Sequence, residues 1–420
     1  KTTIAAGSVL ALDFTQYMPE QTNNLSKQSF DFSEHDVPGL HDVARLIRHA
    51  AEDKKINGIL IENGLGGLGA SSAKVILDAL EDFKESDKFL AAYGDFYTQQ
   101  GYYLASPADH ITLHPVGTVD FRGFASYVPF FKGLLDKIGI DMQIYYAGNF
   151  KSATEPFRRT EMSPENKLQT REYLTDTYDM YLQDIADARQ INVDSLKNMA
   201  WQFQIKSADD ALRYKLVDEI GAKADCESWM NEKMGKGQND RITYINIEEY
   251  ASATPNHQAN LKAKDKIAII YAEGDIVSGN DEYGVIDDGR YVKLLKDIRK
   301  QEEIKAVVLR INSPGGSILS AENIYRQLVG LQADGKKLVI SMGDLAASGG
   351  YYLSAMADSI FAQPNTLTGS IGVFSLIPNP SRALDEKLGV RFDTVRTGPY
   401  SADFTVMFPW QEREHTYMQQ

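Results

Sequence analysis

The sequence predicts an α/β protein built as a tandem repeat, and three observations carry that expectation. Short apolar runs that read as buried strands alternate with amphipathic stretches that read as helices, the order of a largely parallel sheet. The same order of elements returns about 249 residues later. Individual residues return with it. Gly94-Asp95 comes back as Gly343-Asp344, Tyr102-Tyr103-Leu104 as Tyr351-Tyr352-Leu353, Ala108-Asp109 as Ala357-Asp358, Pro115 as Pro364 and Gly123 as Gly372.

In the first repeat, Val9–Phe14 reads as a strand. Leu40–Ala51 has apolar residues at helical spacing and reads as a helix. Ile59–Ile61 is a short buried strand, Gly64-Leu65-Gly66-Gly67 a turn, Ser72–Phe83 a helix and Phe89–Tyr93 a strand. In the second repeat, Ile267–Tyr271 is a strand, Val292–Ile298 a helix and Ala306–Leu309 a strand. Pro314-Gly315-Gly316 is the turn, Ser320–Leu331 the helix and Leu338–Ile340 the strand. A helix is expected over Tyr351–Ala357. Thr170–Met199 is long, polar and helical in character, and Ser207–Gly221 reads as a last turn and strand.

The domains follow from the repeat. Residues 1–250 form the first, with a helical extension at about 160–225. Residues 251–265 read as a linker, and 266–420 form the second domain. By the repeat, the counterpart of the second domain runs on for roughly 80 residues, so a C-terminal helical segment is expected to be missing here. The sequence opens on Lys1, not Met, so a signal or anchor upstream would leave no trace in it.

Composition narrows the function classes. A net charge of −14 without a long Lys/Arg run argues against nucleic acid as partner. One cysteine, Cys226, excludes an intrachain disulfide and a cysteine metal cluster. His110 and His114 lie four apart, but Ile111, Leu113 and Pro115 suggest a strand rather than a metal-binding helix turn. No metal site and no cofactor are expected. No apolar run of about 18 residues is present to span a membrane.

The repeat lets the chain serve as its own comparison. Ala346-Ala347-Ser348-Gly349-Gly350 sits where the apolar Leu338–Ile340 strand gives way to a helix, and it corresponds to Tyr97-Thr98-Gln99-Gln100-Gly101. Unpaired N–H groups at a helix start favour developing negative charge, and glycine lets a substrate backbone come close. Ser348 is therefore a candidate nucleophile, although a serine here also serves as an ordinary helix N-cap. Lys151, in Tyr146-Ala147-Gly148-Asn149-Phe150-Lys151, faces Ser401 of the second repeat. One repeat thus carries a lysine and the other a serine. A serine nucleophile needs a base, and the only histidine after Ser348 is His415. A lysine serves if burial lowers its pKa, and Tyr145, Tyr146, Phe150 and Phe157 give Lys151 apolar company. For an oxyanion, backbone N–H groups of Gly315 or Gly316, with Gly349, are the candidates. Ser152 or Glu155 would orient the lysine.

Four motifs in this order resemble one family: Asn312-Ser313-Pro314-Gly315-Gly316-Ser317, Ala346-Ala347-Ser348-Gly349-Gly350-Tyr351, Leu367-Thr368-Gly369-Ser370-Ile371-Gly372-Val373 and Phe150-Lys151-Ser152-Ala153-Thr154-Glu155-Pro156-Phe157. The resemblance is to the signal peptide peptidase A family of the protease IV type, in its long tandem form, over nearly the whole chain. It implies two Clp/crotonase-like domains and a serine endopeptidase with a Ser-Lys dyad, Ser348 as nucleophile and Lys151 as general base. It also implies signal-peptide remnants and other apolar peptides as substrates, and a homo-oligomer, a tetramer in long forms. An N-terminal membrane anchor absent from this chain would place the catalytic domain on the extracytoplasmic (periplasmic) side of the bacterial inner membrane. A Clp-type protease with a Ser-His-Asp triad, a crotonase-like acyl-CoA enzyme and a non-catalytic scaffold are the alternatives.

Overall fold

The computed structural model describes residues 3–16, 18–22, 37–254, 262–279 and 284–419. The strands run in chain order as β1 (Ser8–Asp13), β2 (Ile56–Glu62), β3 (Phe89–Gly94), β4 (His110–Leu113), β5 (Asp141–Tyr146), β6 (Glu219–Ile220), β7 (Tyr244–Asn246), β8 (Lys266–Glu273), β9 (Asp275–Val277), β10 (Val285–Asp287), β11 (Ile304–Ser313), β12 (Lys337–Ala347), β13 (Ser359–Phe361), β14 (Leu367–Gly369) and β15 (Phe374–Asn379).

Each repeat builds one parallel sheet. The first has the order β6-β4-β3-β2-β1-β7 and the second β13-β12-β11-β8, with β14 also paired to β12. The helices between strands bury the stripes their spacing predicts. Helix Leu40–Glu52 turns Leu40, Val43, Ala44, Leu46, Ile47 and Ala50 into the core. On the other face of the first sheet, Val9, Leu60, Phe89 and Ala91 pack against Cys226, Met230 and Ile242. Burial there pushes the Cys226 thiol up to about 12, which leaves it an inert hydrophobe. The core of the second sheet is built from residues including Ile270, Val307, Leu309, Leu328, Leu338 and Ile340.

By packing, the chain divides into two compact units that cut across the repeats. Lys1–Phe124 with Asp176–Thr368 make the first, which holds both parallel sheets, and Ala125–Thr175 with Gly369–Gln420 make the second. The second unit is organised on an antiparallel pair, with β15 running from Phe374 opposite Tyr146 to Asn379 opposite Asp141 on β5. Arg382 closes it with a 2.9 Å ion pair to Asp141.

The sequence-derived elements appear with small shifts. The helical extension consists of Pro164–Arg189, Val193–Trp201 and Ala208–Arg213, followed by β6. The helix expected at Tyr351–Ala357 begins earlier, at Gly349, and ends at Ser354. Of the expected linker, Ala251–Ala253 close the helix Ile247–Ala253, and 255–261 lie outside the described residues. His110 lies on β4, stacked on Trp229 at 4.6 Å and bonded to Glu219 at 2.9 Å. Among the described residues no cluster of His, Cys, Asp and Glu is arranged to hold a metal, and no helix is long and apolar enough to cross a membrane.

Candidate active site

Strand β12 runs through the buried Leu338 and Ile340 to Ala347 and stops at Ser348. Ser348 has φ 51° and ψ −115°, a conformation that glycine adopts freely and a Cβ-bearing residue adopts under strain. Helix Gly349–Ser354 starts at once, yet the Ser348 side chain makes no capping bond. The plain N-cap account of this serine therefore fails. Its backbone is bent into a sharp strand-to-helix elbow, and its half-buried hydroxyl is left to other work. The helix has only six residues, so what it offers an anion is its first N–H groups rather than a macrodipole.

The turn after β11 packs directly on this elbow. The pairing of β11 with β12 slips after Ile311, so that Ser313 meets Ala346, and the Asn312 side chain accepts from Leu345 N at 3.1 Å across the slip. Gly315 has φ +101°, and a Cβ there would lie 2.6 Å from Gly349 N and 2.8 Å from Ser348 Cβ. No other residue fits. Gly315 N–H donates to Ser313 Oγ at 3.1 Å and is thereby occupied. Gly316 differs. Its neighbours bond to Ile276, with Ile276 N donating to Gly315 O and Ser317 N donating to Ile276 O, each at 2.8 Å. In such a parallel bridge the middle residue, Gly316, turns its own N–H away from the partner strand. Of the two candidates from sequence, Gly316 is the one with an N–H to offer beside that of Gly349.

The first repeat shows what the same place becomes without a serine. The Gln99 side-chain amide donates to Gly123 O and accepts from Gly123 N, both at 2.9 Å. Gln100, the counterpart of Gly349, accepts from Leu68 N at 3.1 Å and donates back to Leu68 O. Both amides are spent on backbone, and the half-site is closed.

Lys151 belongs to the second unit. It is 3 % exposed, and its Nζ donates to Ser370 O at 2.6 Å and Ser370 Oγ at 3.1 Å. Burial lowers its pKa below the ordinary lysine value. The Phe374 ring lies 5.8 Å from Nζ, while Phe150, one of the expected apolar neighbours, is exposed. Neither expected orienting residue is hydrogen-bonded to the lysine amine. Ser152 Oγ accepts from Gln169, and Glu155 accepts from Ser163 N and Asn166. That place is taken by Ser370, which lies in the 367–373 motif but was not singled out by sequence. Ser370 itself has φ 50°. Ser401, the counterpart of Lys151, is exposed and bonds only its own turn, through Gly398 O at 2.8 Å. His415 meets Tyr145 OH at 2.7 Å and sits beside Trp410.

The structure thus brings Ser348, Gly349, Gly315 and Gly316 together in the first unit, and sets Lys151 on Ser370 in the second. Such sets supply a strained serine with two backbone donors and a buried amine with a lowered pKa, the parts of acyl transfer by a hydroxyl nucleophile.

Comparison with known proteins finds peptidases. The sequence model of peptidase family S49 matches residues 82–236 and 330–420, and that of Clp protease matches 260–368. The chain is 34 % identical to Protease 4 of Haemophilus influenzae over 364 residues, 85 % of this chain and 59 % of that protein. It is 35 % identical to Protease 4 of Salmonella typhi over 373 residues, 86 % and 59 % of the two chains. It is also 28 % identical over 358 residues to the chloroplastic serine protease SPPA of Arabidopsis thaliana, 84 % and 52 % of the two. The chain thus spans 59 % of the length of either Protease 4 relative. With the S49 model covering more than half of its residues, in a tandem of Clp/crotonase-like α/β domains, this chain belongs to peptidase family S49.

Proposed function

We propose that this chain is a serine endopeptidase in which Ser348 is the nucleophile and Lys151 its general base. The observation that supports this best is Lys151 itself. A lysine held away from water with no carboxylate partner among the described residues is costly as an ammonium and is stabilised as a free amine. Such an amine is a base, and the strained Ser348 hydroxyl is what a base would activate.

Neutral Lys151 takes the Ser348 proton as Oγ attacks the peptide carbonyl, with Gly349 N–H and Gly316 N–H receiving the oxyanion. The ammonium then gives its proton to the leaving amine as the C–N bond breaks. Lys151 next takes a proton from water, which attacks the acyl-enzyme and releases Ser348. Ser370 holds the amine in place throughout. The domain bounds 1–250 and 266–420 are part of this reading, the first repeat contributing the lysine and the second the serine.

The wider reading rests on relatives longer than this chain. One is named Serine protease SPPA, and a further relative, from Enterococcus faecium, is a putative signal peptide peptidase. On that likeness the substrates are remnant signal peptides and other apolar peptides. The protein would work as a homo-oligomer, anchored at the bacterial inner membrane with its site on the extracytoplasmic side.

A fluorophosphonate probe with a peptide-cleavage assay tests the dyad. Labelling and cleavage are expected in the parent chain and lost in both Ser348→Ala and Lys151→Ala. Undiminished cleavage by Lys151→Ala would remove the lysine from the mechanism.

A further inference from the structure

The segment that ends in Ser348 is fastened to the opposite repeat four residues earlier. Asp344, on β12, accepts from Ser72 N at 2.8 Å and from Ser72 Oγ at 2.5 Å. Ser72 is the third residue of helix Ala70–Lys84 in the first repeat. That helix enters through Gly69, which has no side-chain cap of its own, and any Cβ at Gly69 would collide with the Asp344 carboxylate. The cap comes from the other repeat instead, as a charge placed where a helix start favours one.

The repeat makes the arrangement telling. In the second repeat the equivalent helix, Ile318–Ala333, is capped locally by Ser317, whose Oγ accepts from Ser320 N. Asp95, the counterpart of Asp344, likewise stays local and accepts from Tyr93 OH at 2.6 Å. Of these two counterparts, it is Asp344, on the nucleophile's strand, that reaches across. Two further contacts cross between the repeats nearby, Arg310–Glu20 and Asn365–Ala70, and two within the second repeat hold the same strand. Arg310 pairs with Glu20 at 2.9 Å, both almost wholly buried, and also donates to Met342 O at 2.7 Å. Asn365 donates to Ala70 O at 2.8 Å, and Thr366 Oγ1 donates to Gly343 O at 2.9 Å. Asp344 is thus bonded to the first repeat directly, and Met342 O is held by Arg310, itself paired with Glu20 of the first repeat, just before the chain enters the strained turn at Ser348.

We propose that Asp344 is a positioning residue for Ser348. Bonded to Ser72, it fixes the end of β12 against the first repeat, so that the φ 51° turn at Ser348 and the Gly349 N–H keep their reactive geometry. The proposal rests on Ser348 being the nucleophile. It gives the first repeat, whose own half-site is closed by Gln99 and Gln100, a mechanical part in the chemistry of the second.

The test reads Ser348 reactivity by fluorophosphonate labelling, separating the maximal rate kinact from the binding constant KI, in the full chain. Folded protein is measured on the same samples by circular dichroism and thermal melting. In Asp344→Ala, kinact per folded molecule is expected to fall on the order of tenfold or more, with KI held within about twofold. Ser72→Ala should lower kinact less, and should add nothing in the Asp344→Ala background. Asp344→Asn, which keeps an oxygen acceptor, should recover part of the rate. An unchanged kinact in Asp344→Ala, or a loss confined to KI or to the melting temperature, overturns the proposal. Should Asp344→Ala not fold, Ser72→Ala decides, and an unchanged kinact there overturns it equally. Labelling that persists in Ser348→Ala would instead overturn the nucleophile on which it rests.

Discussion

Lys151 Nζ meets Ser370 twice, at 2.6 Å to its carbonyl oxygen and 3.1 Å to its hydroxyl. A neutral primary amine has two N–H bonds and one lone pair. In the neutral state proposed for Lys151, Ser370 takes both N–H bonds and leaves the lone pair to accept a proton. Ser370 thus sets the amine's direction, while burial sets its basicity.

Ser370→Ala removes the hydroxyl contact and leaves the carbonyl contact. Turnover should fall roughly tenfold, the worth of one hydrogen bond near the top of the neutral range, with KM little changed. Steady-state cleavage of a peptide substrate measures the split.

With Lys151 as the proposed base, activity should rise with pH and level off, because that base works only without its proton. The rising limb should have a midpoint below the ordinary lysine value of about 10.4, since burial lowers Lys151. The same shift enters stability. The unfolded chain binds the proton more tightly, so the contribution is fully present above the ordinary value and is lost as pH falls towards the folded value. Denaturant titrations of Lys151→Met, compared with the parent across that window, should show a flatter dependence on pH.

Ser348→Gly should abolish labelling yet stabilise the fold by about 1 kcal/mol, since glycine adopts φ 51° without penalty. Ser348→Ala keeps the strain and should show no such gain. Urea unfolding of the two variants side by side checks this.

Gly315→Ala should also lose labelling, but should lose stability as well. Its Cβ would press on Gly349 N and Ser348 Cβ from a backbone at φ +101°, a loss on the order of 1–3 kcal/mol from the backbone alone. Thermal unfolding with probe labelling reads both.

Much of this was legible in sequence because burial writes itself as periodicity. The stripe Leu40, Val43, Ala44, Ile47 and the runs at Ile59–Ile61 and Leu338–Ile340 gave the elements. The turn at Ser348 was visible as strand, small residues, helix. Its backbone angle was not, since that depends on Gly315, distant in the chain, packing against Ser348 and Gly349. Spacing left Gly315 and Gly316 level, and only the direction of each N–H separated them. Ser152 and Glu155, the orienting residues expected from sequence, are close to Lys151 in the chain, yet Ser370 is 219 residues away. A signal for it existed. By the offset that pairs Ser348 with Gln99, Ser370 corresponds to Phe121, so a second hydroxyl appears only in the second repeat.

The amide bonds of Gln99 and Gln100 carry a last consequence, for reversibility. A serine placed at 99 would arrive beside a filled turn, because the Gln100 side chain would still be bonded to Leu68 and packed on Gly66, the counterpart of Gly315. Changing Gln100 first would break those bonds and gain no chemistry in return. Neither single step is rewarded, so the first repeat stands behind a ratchet. A chain reactivated at that site would have to change both positions at once.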